Sequence, residues 1–153
     1  MTARTENAPG APSWVTVFNP IARRLLAAGV PMGPNALITI AGRTSGQPRS
    51  TPLALIAVGG RRWVWSPWGD VHWVRNLRAA GVATISVHGR TEDVTAAELD
   101  SVERVAFFRD VLTPVARAMP FGMQFVRIVD GVDLTDPAEA AEGRRVFELR
   151  LRS

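Results

Sequence analysis

The residues of this chain that could do chemistry fall into two short stretches. The first is Gly42-Arg43-Thr44-Ser45-Gly46-Gln47-Pro48-Arg49, which holds two guanidinium groups, two hydroxyls and two glycines. Glycines let backbone N–H groups turn toward one point, hydroxyls add donors, and arginine forks match phosphate and carboxylate. Such a loop suits an anionic ligand, although the same composition also makes a solvated polar hairpin. Its spacing is neither that of a P-loop nor that of a Rossmann fingerprint. The second stretch carries Trp63, Trp65, Trp68 and Trp73, four of the five tryptophans. Trp63 and Trp65 alternate in an apolar run and read as core. Trp68 lies in the turn sequence Ser66-Pro67-Trp68-Gly69-Asp70, where it would suit the wall of a site for a flat ring. Trp73 reads either way.

Two histidines complete the inventory. His72 stands beside Trp73 and is a candidate proton donor, as is the hydroxyl of Ser66. His88 precedes a glycine in a turn and reads as structural. All 18 basic residues are arginine, and lysine, tyrosine and cysteine are absent. That excludes Schiff-base chemistry, a thiolate nucleophile, disulfides, iron–sulfur ligation and a phenolic proton donor. A multi-histidine zinc site is excluded too. Paired carboxylates do not stand out. The formal charge of +4 persists to high pH because nothing titrates between histidine and arginine, so the sequence pI near 11.3 is no sign of a nucleic-acid partner.

Several short elements must position these residues. Residues 1–12 read as a disordered tail and 13–153 as a single domain. Asn19 and Pro20 open a helix running to Ala28. Strands are expected at Ala36–Ala41, Arg49–Val58, Arg61–Ser66, Val82–Val87, Arg90–Ala96 and Val146–Arg152, with a short helix from Val71 to Ala80. Asp100 with Glu103 is a capping box for a helix that presents Val102, Val105, Ala106, Phe108 and Leu112 to the core and stops at Pro114. Segment 112–130 carries Met119, Phe121, Met123 and Phe125 interleaved with Pro120 and Gly122, and reads as a cover that sets acceptor choice. In the last strand Phe147, Leu149 and Leu151 face the core, while Glu148, Arg150 and Arg152 face water. About six short, mostly antiparallel strands with peripheral helices imply an α+β barrel. No signal peptide and no apolar run long enough to span a bilayer are evident, so a cytoplasmic protein is expected, with peripheral membrane contact left open.

Read in order, Leu37–Ile40, Gly42-Arg43-x-Ser45-Gly46-x-Pro48-Arg49, Thr51-Pro52-Leu53, Ser66–Gly69 and Trp73-x-x-Asn76-Leu77-Arg78 resemble the deazaflavin-dependent nitroreductases, split β-barrel oxidoreductases found mainly in actinobacteria. The resemblance extends over about residues 19–95. It implies a split barrel binding the deazaflavin coenzyme F420, with its phosphate and oligoglutamate tail held at Arg43, Ser45, Gly46 and Arg49. It places the ring near Pro52, Ala54, Ser66, Pro67, Trp68 and Gly69, bordered by Trp73 and Asn76. Thr44 and Pro67 stand where relatives often carry basic residues, and the tyrosines of the best-studied members are missing. The implied activity is hydride transfer to an electron-poor acceptor such as a quinone, enone or nitroaromatic, without metal or nucleic acid. FMN or FAD is the alternative cofactor. The alternative function is non-catalytic binding of a flavin, haem or lipid, and a weaker one an RNA-binding barrel.

Overall fold

The computed structural model describes residues 35–118 and 122–152. The expected tail over residues 1–12 and the helix from Pro20 to Ala28 lie outside the described residues, as do Met119, Pro120 and Phe121.

Seven strands form one antiparallel sheet: β1 (Ala36–Ala41), β2 (Pro48–Leu53), β3 (Leu55–Val58), β4 (Arg61–Ser66), β5 (Val82–Val87), β6 (Arg90–Glu98) and β7 (Arg145–Leu151). Their order in the sheet is β2-β1-β5-β6-β7-β4-β3. The expected strand over 49–58 therefore divides at Ala54. Its first half pairs with β1, and its second half with β4 at the opposite edge of the sheet. One chain segment thus joins both edges and curls the sheet into a split barrel. Pro52 sits on the edge strand β2, where proline is tolerated.

Alternation decides what the barrel encloses. Ala36, Ile38 and Ile40 of β1 pack with Leu53, Leu55, Val64, Ala83, Ile85, Val94, Phe147 and Leu149. Helix α1 (His72–Ala80) adds Val74 and Leu77 to the same cluster. A second cluster lies on the outer face of β4 and β7, where Trp63, Trp65 and Val146 meet helix α2 (Ser101–Phe107) and the segments after it. Trp65 meets Phe108 edge-on at 5.5 Å. The capping box forms as expected: Glu103 N–H donates to Asp100 Oδ1 (2.8 Å), and Asp100 N–H donates to Glu103 Oε1 (2.9 Å).

Four expectations need correction. Pro114 does not stop the helix: a π-helical turn over Phe108–Leu112 leads into α3 (Thr113–Ala118), and proline is tolerated in its first turn. Val102 is exposed at 76%, because Phe107 takes the inward position beside Phe108. Glu148, expected in water, is buried, and Leu151 is largely exposed, because β7 lies between two strands and runs off the end of β4. Of the residues expected to form a cover, Met123 is packed against the second cluster, in which Leu112, Ala116 and Val126 are buried, while Met119 and Phe121 lie outside the described residues. Beyond α3 the chain forms α4 (Gly122–Phe125) and a second π-helical turn, Val126–Asp130. A last helix, α5 (Pro137–Ala141), precedes β7.

Candidate functional site

The glycine- and arginine-rich loop joins β1 to β2 as a closed turn. Gly42 N–H donates to Gln47 O (2.8 Å), Gly46 N–H donates to Gly42 O (2.8 Å), and Gln47 N–H donates to Ser45 Oγ (3.2 Å). Gly46 adopts φ +73°, which a side chain would resist. The backbone donors expected to form an anion nest therefore largely close the loop itself. What remains for a ligand is side-chain chemistry. Ser45 accepts one bond and keeps its own O–H to donate, and Thr44 and Arg49 are exposed. Arg49 lies back over Gly42: a Cβ at residue 42 would meet Ser45 Oγ at 3.0 Å and Arg49 Nε at 3.3 Å. The missing side chain at Gly42 brings Ser45 and Arg49 to one spot.

Arg43 points the other way, into α1. Its backbone N–H (3.0 Å) and its Nη1 (2.8 Å) both donate to Asn76 Oδ1. Asn76 is 4% exposed, so its carboxamide is a fixed acceptor inside the protein. The same Nη1 lies 3.5 Å from His72 Nδ1. His72 and Asn76 are four residues apart and share one face of α1. Two stretches about thirty residues apart in sequence thus meet through one guanidinium.

The turn after β4 is built on Ser66. Its hydroxyl donates to Gly69 O (2.9 Å) and accepts from Trp68 N–H (3.3 Å), and the residue is 1% exposed. Its proton is committed to closing the turn. Trp68 and Trp73 are half-buried against the barrel core, and Trp73 lies 6.2 Å from the Phe147 ring. Leu55 pairs with Val64, which places Ala54 next in line to Trp65 and so close to where this turn begins. Pro52, by contrast, lies opposite Leu37 on β1.

A charge network that the sequence did not announce holds the far side of the turn. Asp70 Oδ1 accepts from Arg78 Nη2 (3.0 Å) and Arg145 Nε (2.8 Å), and Arg78 makes a forked pair with Glu98 (2.7 and 2.8 Å). Burial pushes the Asp70 carboxyl up, but the bonds from Arg78 and Arg145 outweigh it and hold it below its ordinary value. The Glu98 bond raises Arg78 despite burial. Asp70 and Arg145 are 75 residues apart, and no local spacing links them. A groove of about 230 Å³ lies along β1, β5 and β6, lined by Thr39, Thr84, Asp93 and Arg152 together with Gly46 and Pro48 of the β1–β2 loop. His88, at φ +50°, forms the β5–β6 turn and lies on an exposed hairpin. No group of three His, Cys, Asp or Glu among the described residues could hold a metal, and no described helix is long and apolar enough to cross a membrane.

A curled seven-stranded sheet with an arginine- and serine-bearing β1–β2 loop docked on α1 defines a split-barrel protein. The sequence of residues 21–121 matches the F420H(2)-dependent quinone reductases, and the chain belongs to that family. The fold is similar to that of a protein described as a domain-swapped dimer, with TM-score 0.54 and 20% identity over 86% of this chain and 95% of the other. It is also similar to an F420-H2 dependent reductase, with TM-score 0.50 and 20% identity over 76% of this chain and 94% of the other. A conserved hypothetical protein from Mycobacterium tuberculosis matches with TM-score 0.50 and 15% identity over 85% of this chain and 80% of the other.

Proposed function

We propose that the protein is a deazaflavin-dependent reductase that passes a hydride to an electron-poor organic acceptor such as a quinone, enone or nitroaromatic. The observation that carries this reading is the docking of the Arg43 loop on Asn76, beside the tryptophan turn. One continuous surface then offers an anion grip at one end and aromatic walls at the other. Its donor set fits the coenzyme: Arg49 and Ser45 converge over Gly42, which suits a phosphate and an acidic tail. Arg43 and the tight turn at Gly46 set the loop's position. Pro67, Trp68, Gly69, Trp73 and Ala54 offer small or flat surfaces for the ring, whereas Pro52 lies on β2 opposite Leu37 and is left out of that group. When bound, the reduced deazaflavin supplies the hydride. The protein supplies orientation and a site from which the tryptophans exclude water. Ser66 is a positioning residue that holds Trp68, since its hydroxyl faces Gly69.

Anaerobic titration with reduced F420, FMN, FAD and haem tests the reading. Tight binding of F420 alone, with menadione reduction in its presence, is the expected result. Arg49→Ala should weaken that binding about 10- to 100-fold, the worth of a charge-assisted contact of about 1.5–3 kcal/mol. Preference for haem, or no turnover with any acceptor, would favour a binding protein instead.

A further inference from the structure

One residue of the last strand holds both ends of the tryptophan turn. Arg145 lies opposite Ser66 in the β4–β7 ladder, so its backbone fixes where the turn leaves β4. Its side chain then reaches Asp70, where Nε donates to Oδ1 at 2.8 Å. Between these two points lie only Pro67, Trp68 and Gly69. Inside the turn, the Ser66 hydroxyl donates to Gly69 O and accepts from Trp68 N–H, and Val71 N–H donates to Gly69 O at 3.0 Å. Asp70 also accepts from Arg78 Nη2 in the last turn of α1, and Arg78 is forked onto Glu98 of β6. Val71, the N-cap of α1, has no side-chain cap bond, so Asp70 ties the start of the helix through these guanidinium groups. Two arginines face two carboxylates, with Arg145 Nε 3.9 Å from Glu98 Oε2. Their charges cancel, so the cluster is no anion site; what it fixes is position. Partly exposed ion pairs contribute little to folding stability, and these four side chains are between 26% and 44% exposed.

We propose that Arg145 is a positioning residue for the coenzyme's ring: through Asp70 it holds Trp68 at the ring end of the site, and it does not act on the acidic end. The proposal rests on the reductase reading and deepens it. The two ends have separate supports. The Arg43 loop is seated on Asn76 of α1, and α1 keeps Arg78 on Glu98 when Arg145 is replaced. The tie from Asp70 to β7, by contrast, is Arg145 itself. Hydride transfer requires ring and acceptor at near-contact distance, and a misplacement of about 1 Å costs on the order of a hundredfold in rate. A wall set from β7 therefore bears on ring affinity and on rate, while the grip on phosphate and glutamates is untouched.

The test begins without coenzyme. The chain has five tryptophans, so fluorotryptophan labelling gives five ¹⁹F resonances, and Trp68→Phe and Trp63→Phe assign two of them. Arg145→Met should shift or broaden the Trp68 resonance and leave that of Trp63, in the second cluster, in place. Asp70→Asn, which keeps the shape of the side chain, should also shift the Trp68 resonance, and Arg145→Met in that background should add little. A Trp68 resonance unmoved in Arg145→Met, or an equal shift at Trp63, overturns the positioning role. The second arm uses reduced F420 and the deazaflavin alcohol that lacks its phosphate and glutamates. Arg145→Met should weaken both by the same factor, about 3- to 10-fold, and lower kcat with menadione about tenfold. Arg49→Ala should weaken F420 alone. Arg145→Lys, which keeps one donor and the charge, should recover part of each loss. A loss confined to F420, native affinity and kcat in Arg145→Met, or no recovery with lysine overturns the assignment to the ring. Failure of the native protein to bind either deazaflavin overturns the reductase reading, whereas the fluorine spectra decide the hold on Trp68 without it.

Discussion

Asn35 closes the barrel seam on Leu55. Its Nδ2 donates to Leu55 O (3.2 Å), and its Oδ1 accepts from Leu55 N–H (2.7 Å), while its own backbone N–H donates to Leu53 O (3.0 Å). The carboxamide imitates a strand neighbour at the point where the chain leaves β1 for β4. Leu55 is buried, so its backbone groups have no ready substitute. Asn35→Leu should cost about 1–3 kcal/mol, read as a lower urea midpoint at unchanged slope. An unchanged midpoint would show that the seam is held by packing alone.

Glu148 and Arg61 make the acid limb of stability testable. The buried Glu148 carboxylate takes a fork from Arg61 (2.8 and 2.9 Å), whose guanidinium also lies 4.9 Å from the Trp63 ring. The Arg61 hydrogen bond, against burial, holds the Glu148 carboxyl below its ordinary value. A depressed carboxyl contributes stability above its unfolded value, and that contribution is lost as pH falls through the folded one. Arg61→Ala should therefore lower stability most at and above neutrality and flatten its fall on acidification, so that the two proteins converge at low pH. An equal fall on acidification in the two proteins would count against the pairing.

Asp130 works in the opposite sense. It is half-buried in the second π-helical turn, and burial alone pushes its carboxyl to about 7. Between the unfolded value near 4 and the folded value, the native state binds the extra proton, so stability falls as pH rises through that window. Asp130→Asn should remove this fall and raise Tm at pH 8, by the order of 1 kcal/mol or about 2–4 °C. Melting curves at pH 5 and pH 8 check it. A variant that remains less stable at pH 8 than at pH 5 by the native margin would refute it.

How much of this was legible from the residues depends on how local each signal is. Alternation marked β1, β4 and β5 to the residue, and Asp100 with Glu103 marked the start of α2. The same alternation could not show the division at Ala54, because one continuous β-compatible run serves two partners. It misjudged Glu148, whose burial is set by strands far away in sequence. Pro114 read as a stop because a π-helical turn, which has no simple sequence signature, relieves its geometry. The loop and the tryptophan turn were visible as motifs. Their junction was not, since nothing in the spacing from Arg43 to Asn76 fixes which way the guanidinium points. Arg145 lies beyond residue 121, where the family match ends, and only the fold brings it to Asp70.

Gly42 offers the sharpest separation of binding from folding. Its neighbours at the site of a new methyl are two flexible side-chain ends, Ser45 Oγ at 3.0 Å and Arg49 Nε at 3.3 Å, and the backbone oxygen of Gln47 at 3.4 Å. The last is an ordinary contact, so Gly42→Ala needs no movement of the backbone. The first two must yield by a few tenths of an ångström, which costs little because both groups are exposed. Gly42 carries no positive φ, so alanine is not strained there. The fold should survive, with Tm within about 2–4 °C of the native protein, a change of about 1 kcal/mol. The convergence of Ser45 and Arg49 should not survive. If that spot grips the acidic end of the coenzyme, F420 affinity should fall about tenfold, and Arg49→Ala in the Gly42→Ala background should cost less than it does alone. Full additivity of the two substitutions would mean that Gly42 does not act through Arg49. Native affinity in Gly42→Ala would move the anion grip away from this loop.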